Sequence, residues 1–178
     1  MKSRLATLLT AFGLVCLILA TFLLWQRTTP RRLSFNIKNS SQSEKNIRAL
    51  EPKTLVIRDL GIKLPISPAR VEKGKWEAST KGVSYLSTSP IPGEMGNSVL
   101  YGHNWSNLLG SLVLIKPGQE IEVLFDDGSA SKFVVKMTQT VTPEQTGILD
   151  PSDDQRITLY TCAGFLDRKR FVVTAILL

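Results

Sequence analysis

The chain has 178 residues and a net charge of +7, enough length for one compact domain beside an N-terminal apolar segment. Its 22 Lys and Arg residues are scattered, with no run of five, which argues against a nucleic-acid-binding protein and favours a solvated basic surface. The two cysteines, Cys16 and Cys162, lie in different segments and cannot easily pair, which argues against a disulfide framework.

The N-terminal segment, residues 1–25, is predicted to be a membrane anchor. Leu5 to Trp25 carries no charge over 21 residues, enough for a helix to span a bilayer core. A cleaved signal peptide is the alternative, but bulky side chains stand where its small-residue cleavage site would lie. Lipid attachment through Cys16 is a weaker alternative, because the residues before it only partly fit a lipobox. Basic residues on both sides of the segment leave its orientation open.

Residues 26–52 form a predicted polar tether, with a short helix expected near Glu44–Leu50. From residue 53 to 178 the pattern changes to short strands separated by turns, as in a closed or nearly closed β-barrel. Asp126-Asp127-Gly128-Ser129 is a hairpin turn signal between two of these strands. The predicted strands are Thr54–Ile57, Ile62–Ile66, Val83–Tyr85, Ser98–Gly102, Val113–Ile115, Glu120–Phe125, Lys132–Thr140, Ile157–Tyr160 and Phe171–Leu177.

The C-terminal stretch carries the strongest chemical signal. A strand ending at Cys162 and a second strand starting at Arg170, eight residues later, would bring thiol and guanidinium together across a hairpin mouth. A thiolate nucleophile needs a nearby positive charge, and acyl transfer needs a fixed donor for the oxyanion. His103 is the single histidine, and a Cys with one distant His is the minimal set for thiol catalysis. One His and one accessible Cys cannot fill a zinc site, so no metal is expected.

Three motifs in this order resemble sortases, the cysteine transpeptidases of Gram-positive-type cell envelopes. The run 158–162, TLYTC, resembles their TLxTC signature, 101–105, YGHNW, the segment around their catalytic His, and 170–173, RFVV, the strand opening with their catalytic Arg. The resemblance covers Thr54–Leu178 and implies a mainly β, closed eight-stranded barrel with short helices and no cofactor.

The resemblance also implies a role for each site residue. Cys162 is the expected nucleophile, His103 the acid to the leaving amine and then the base to the incoming one, and Arg170 the group that holds the substrate carbonyl and oxyanion. The N–H of Ala163 is the expected second oxyanion donor, and Thr161, which precedes the nucleophile in the motif, is also expected at the oxyanion and substrate-binding site.

Substrate and location follow from the same resemblance. Sortases cleave an LPxTG-like pentapeptide after its Thr, in a groove lined by the loop before the Cys strand. Here Ile148 and Leu149 are candidate pocket walls, although plain packing explains them equally well. The expected partners are surface proteins with such a signal, a cell-wall precursor amine and the membrane, with the N-terminus cytoplasmic and the catalytic domain extracellular. No Asp-Pro-aromatic lid motif is present, which argues against the pilin-building class C.

Two other functions stay open. In a thiol peptidase, water would resolve the same acyl-enzyme. An inactive relative would only bind wall peptides, but the joint presence of Cys162, His103 and Arg170 counts against it. Trp76 is expected to belong to the core rather than to the site.

Overall fold

The computed structural model describes residues 2–27, 33, 35, 50–72 and 75–178. Helix α1 occupies Lys2–Arg27. Over the described residues no helix is both long enough and apolar enough to cross a membrane, so the membrane-spanning assignment of Leu5–Trp25 is not supported. The short helix predicted near Glu44–Leu50 lies almost entirely outside the described residues, and the boundaries 1–25, 26–52 and 53–178 stay predictions.

The strands of the described residues are β1 (Pro52–Ile57), β2 (Ile62–Ala69), β3 (Val71–Glu72), β4 (Lys75–Trp76), β5 (Val83–Leu86), β6 (Gly96–Gly102), β7 (Glu120–Phe125), β8 (Ala130–Val141), β9 (Gln155–Ala163) and β10 (Lys169–Leu177). Eight of them close into a barrel, as predicted. The strand order is β1-β2-β5-β6-β9-β10-β8-β7, with β7 pairing back to β1. Neighbours are antiparallel, except that β2 pairs with β5 and β6 pairs with β9 in parallel. The other two strands, β3 and β4, form a separate ribbon that the sequence pattern did not predict.

One predicted strand is wrong. The segment around Val113–Ile115 forms a 3-10 helix, Gly110–Leu114, which buries Leu112 completely while Val113 and Leu114 stay exposed. A short apolar run has no periodicity that separates a strand from a helical turn, so packing against the barrel decides its conformation.

The sheet buries side chains on both faces along its central strands. Successive residues of a strand point to opposite faces. In β9, Ile157 and Leu159 therefore join the cluster inside the barrel, whereas Tyr160 and Cys162 join a second cluster on its outer face. The outer cluster also contains Trp76, which is buried as predicted. The nucleophile candidate thus lies in an apolar surface layer, not in the barrel interior.

Candidate active site

The hairpin of β9 and β10 places Cys162 and Arg170 directly opposite each other. The antiparallel register pairs these two residues, so their side chains leave the same face of the sheet. Both side chains are almost fully buried. Arg170 Nη1 donates to the carbonyl oxygens of Asp167 and Lys169, at 3.0 and 2.9 Å, which fixes the guanidinium at the mouth of the hairpin.

His103 arrives at the same end of the barrel through β6. The parallel pairing of β6 with β9 sets Gly102 beside Thr161, so the next residues along the two strands are His103 and Cys162. Thr161 Oγ1 donates to the Gly102 carbonyl at 2.8 Å and locks this register. A Cβ at Gly102 would lie 3.0 Å from Leu109 Cδ1, so a larger residue before the histidine would require the Leu109 side chain to shift.

The imidazole of His103 is buried and packs against an aromatic ring. Its ring stacks on Trp105 with centroids 4.6 Å apart and planes 10° apart. The Nε2 atom is buried and meets no hydrogen-bond partner among the described residues. Burial lowers the pKa of His103 below its usual value, and the Asp167 carboxylate acts in the opposite direction. The ring is therefore a buried base whose charged form depends on a neighbouring anion.

The sequence reading did not single out Asp167 or Asn104. Asn104 Nδ2 donates to Asp167 Oδ1 at 2.9 Å, which joins the loop after His103 to the loop between Cys162 and Arg170. No local sequence pattern predicts this contact, because the two residues are 63 positions apart in the chain.

The remaining predicted site residues take different places. Thr161 is fully buried and its hydroxyl serves the strand register, so it does not line an open groove. Ala163 is the last residue of β9 and is partly exposed. Ile148 and Leu149 end the 3-10 helix Thr146–Leu149 and pack against the outer cluster that contains Cys162.

A buried amide holds the loop that carries Ile148 and Leu149. Asn97 Nδ2 donates to the carbonyls of Ile148 and Asp150, at 3.0 and 3.1 Å. Thr158 Oγ1 donates to Asn97 Oδ1 at 2.7 Å. Asn97 therefore ties the loop to β6 and β9, a role that sequence pattern alone did not indicate.

Two residues of the predicted tether cover the surface beside the thiol. Leu33 and Phe35 are buried in the same cluster as Cys162. Tyr160 donates its hydroxyl to the Leu33 carbonyl at 3.2 Å, and the Phe35 ring meets the Tyr160 ring edge-on at 5.0 Å. The Arg170 guanidinium carbon lies 5.9 Å from the Phe35 ring centroid. The apolar surface next to the site is thus occupied by the chain itself.

The described part of the chain contains no group of side chains that could bind a metal ion. No three His, Cys, Asp or Glu side chains there lie close enough together to hold an ion.

Comparison with known proteins gives a consistent result. The model of the sortase domain family matches residues 55–178. Sortase A of Bacillus anthracis is 28% identical over 121 residues, which cover 66% of this chain and 55% of that protein. The chain therefore spans little more than half the length of that relative.

Two solved structures share the architecture. A lid mutant of sortase A from Corynebacterium diphtheriae is 26% identical, with a TM-score of 0.62 over 74% of this chain and 73% of that one. Sortase C1 of Streptococcus agalactiae is 25% identical, with a TM-score of 0.62 over 71% of this chain and 66% of that one.

Proposed function

The chain belongs to the sortase family of cysteine transpeptidases, and from this premise we propose that it cleaves an LPxTG-like sorting signal and transfers the protein to an amine. In this proposal Cys162 forms the thioacyl-enzyme with the Thr carbonyl of the signal, and a cell-wall precursor amine resolves it. The observation that carries the proposal is the convergence of His103, Cys162 and Arg170 at one end of three adjacent strands.

The chemistry divides into two half-reactions. The Cys162 thiolate attacks the Thr carbonyl carbon, and the oxyanion that forms is held by Arg170 and by the N–H of Ala163. The C–N bond to the following residue breaks as the imidazolium of His103 gives its proton to the leaving amine. The incoming amine then passes a proton to His103, attacks the thioester carbonyl and releases the Cys162 thiolate.

The protonation states make the reactive form a minority species. An ordinary thiol, with a pKa of about 8.5, is only a few per cent thiolate at neutral pH. Burial lowers the pKa of His103, which disfavours its charged form. Thiolate and imidazolium therefore coexist in a small fraction of molecules, and Arg170 favours the thiolate by its charge.

The substrate and the location are parts of the same proposal. In this proposal Ile148 and Leu149 form the wall that selects the sorting signal. It is supported by their packing beside Cys162 and by Asn97, which bonds the loop at the Ile148 and Asp150 carbonyls. Sortases are generally membrane-anchored with an extracellular catalytic domain, and we assign that location to residues 53–178. Added protease reaching the barrel in intact cells would support this location, and full protection until lysis would contradict it.

The test of activity uses the full chain with a quenched LPxTG-type peptide library and triglycine. We expect mass spectrometry to find a thioacyl adduct on Cys162 and the triglycine-ligated product. Cys162→Ala should lose both, whereas Cys16→Ala, the matched control, should keep both.

Two results would contradict the proposal. An adduct that yields only hydrolysed peptide in excess triglycine would identify a thiol peptidase instead. The absence of any adduct in the folded protein would favour a wall-peptide-binding module.

A further inference from the structure

The loop between Cys162 and Arg170 holds an unusual backbone shape. Leu166 and Asp167 both have positive φ, 53° and 57°, in the left-handed region, which Asp tolerates but a residue such as Leu rarely adopts. Such a conformation costs free energy and persists only where other contacts hold it. Contacts with other parts of the fold must therefore hold this loop in its conformation.

Asp167 contacts the neighbours of the reactive groups on two sides. Its carbonyl accepts a hydrogen bond from Arg170 Nη1 at 3.0 Å. Its carboxylate accepts one from Asn104 Nδ2 at 2.9 Å, and Asn104 follows His103 directly in the chain. One loop residue thus connects the guanidinium of the hairpin to the segment that carries the imidazole.

We propose that Asp167 is a positioning residue of this site, which holds the His103 segment against the Cys162–Arg170 hairpin through Asn104 and supplies the negative charge that the imidazolium faces. The proposal rests on the proposed function in that His103 transfers protons. It goes further by assigning a fourth residue, on a loop that the sequence motif leaves unconstrained.

The charges around His103 support the second half of the proposal. The elements beside His103 carry these titratable and charged groups: Cys162 on β9, Tyr85 on β5, Arg170 and the exposed Lys169 on β10, and Asp167 and the exposed Arg168 on the connecting loop. Burial lowers the pKa of His103, and the Asp167 carboxylate is the group that raises it. Without this anion, burial would act alone on the ring and would favour its neutral form.

The two functions of Asp167 can be separated by substitution. Asp167→Asn keeps an acceptor oxygen for Asn104 and is well tolerated at positive φ, so it removes mainly the charge. Asn104→Ala removes the donor and leaves the charge in place. Asn107→Ala, an exposed residue of the same loop, is the matched control for the second variant.

The first experiment is an NMR titration of the imidazole in the full chain, prepared without a histidine tag. Because the chain has a single histidine, one signal reports the pKa of His103. We expect a lower pKa in Asp167→Asn than in the wild type. Asp59→Asn, an exposed carboxylate elsewhere, should not move it. An unchanged titration in Asp167→Asn would overturn the electrostatic role.

The second experiment measures transpeptidation and the melting temperature of the same variants. Loss of one hydrogen bond to a charged group predicts a fall of about tenfold in kcat/KM for Asn104→Ala, with a melting temperature lowered by only a few degrees. Asn107→Ala should stay within about twofold of the wild type. Equal rates for Asn104→Ala and Asn107→Ala would overturn the positioning role.

The titration does not depend on turnover, so the two proposals can fail separately. A pKa shift in a chain that transfers no peptide would support the role of Asp167 and contradict the proposed function. Normal transfer with no shift and no effect of Asn104→Ala would do the opposite.

Discussion

Removal of the Phe35 side chain should raise activity. The ring is buried against Tyr160 and Trp76 and lies over Arg170, within the cluster that contains Cys162. We expect a peptide whose carbonyl reaches Cys162 to use this surface and therefore to compete with Leu33 and Phe35 for it. Phe35→Ala weakens the cover and leaves every residue of the barrel strands unchanged.

The size of the effect follows from burial. Truncation of a buried Phe to Ala costs about 3–5 kcal/mol in a protein core. A loss of about 3 kcal/mol would lower the equilibrium constant for binding of Leu33 and residue 35 to this surface by about 150-fold. The gain in kcat/KM is limited to the inverse of the open fraction in the wild type, and we expect at least about tenfold. Tyr160→Phe, which removes only the bond to the Leu33 carbonyl, should give about twofold to tenfold.

The assay combines kcat/KM for a quenched peptide with the rate of Cys162 alkylation by iodoacetamide, read by mass spectrometry. Phe165→Ala is the matched control, because this Phe lies on the neighbouring loop and is 82% exposed. It should raise neither rate. If both rates are unchanged or lower in Phe35→Ala, at an unchanged melting temperature, Phe35 does not compete with the substrate for this surface.

Three further results are expected. Arg170→Lys keeps the charge but not the planar set of donors, so it should raise the activation free energy obtained from kcat/KM by about 3–4 kcal/mol. The same change at the exposed Arg168 should leave kcat/KM unchanged. Asn97→Ala removes the donor to the Ile148 and Asp150 carbonyls and the acceptor of the Thr158 hydroxyl, which keeps a longer bond of 3.4 Å to the Ile148 carbonyl. It should cost about 2 kcal/mol of stability and raise KM, as seen by thermal melting and kinetics. The lowered pKa of His103 means that the unfolded chain takes up this proton first as pH falls. Its contribution to stability is therefore complete above pH about 6.5 and is lost as pH falls through the pKa of the folded state. Urea unfolding should show a flatter pH dependence in His103→Asn; an identical dependence would contradict the assignment.

The sequence by itself determined the parts of the site that are local in the chain. Alternating β-branched and aromatic residues predict β9 and β10. Cys162 and Arg170 are eight positions apart, so an antiparallel hairpin of these two strands pairs them directly. Eight of the nine predicted strands are strands of the barrel. Periodicity and turn chemistry act over neighbouring residues, so they can be read directly.

The tertiary structure decided the rest, because it depends on contacts between distant segments. The place of His103 depends on the parallel pairing of β6 with β9, which no local pattern encodes. The motif resemblance implied only that His103 acts together with Cys162. The contact of Asn104 with Asp167 and the burial of Phe35 likewise join segments far apart in the chain. Leu112 entered the core through a helical turn instead of a strand, because a three-residue apolar run satisfies both and only the surrounding packing selects one.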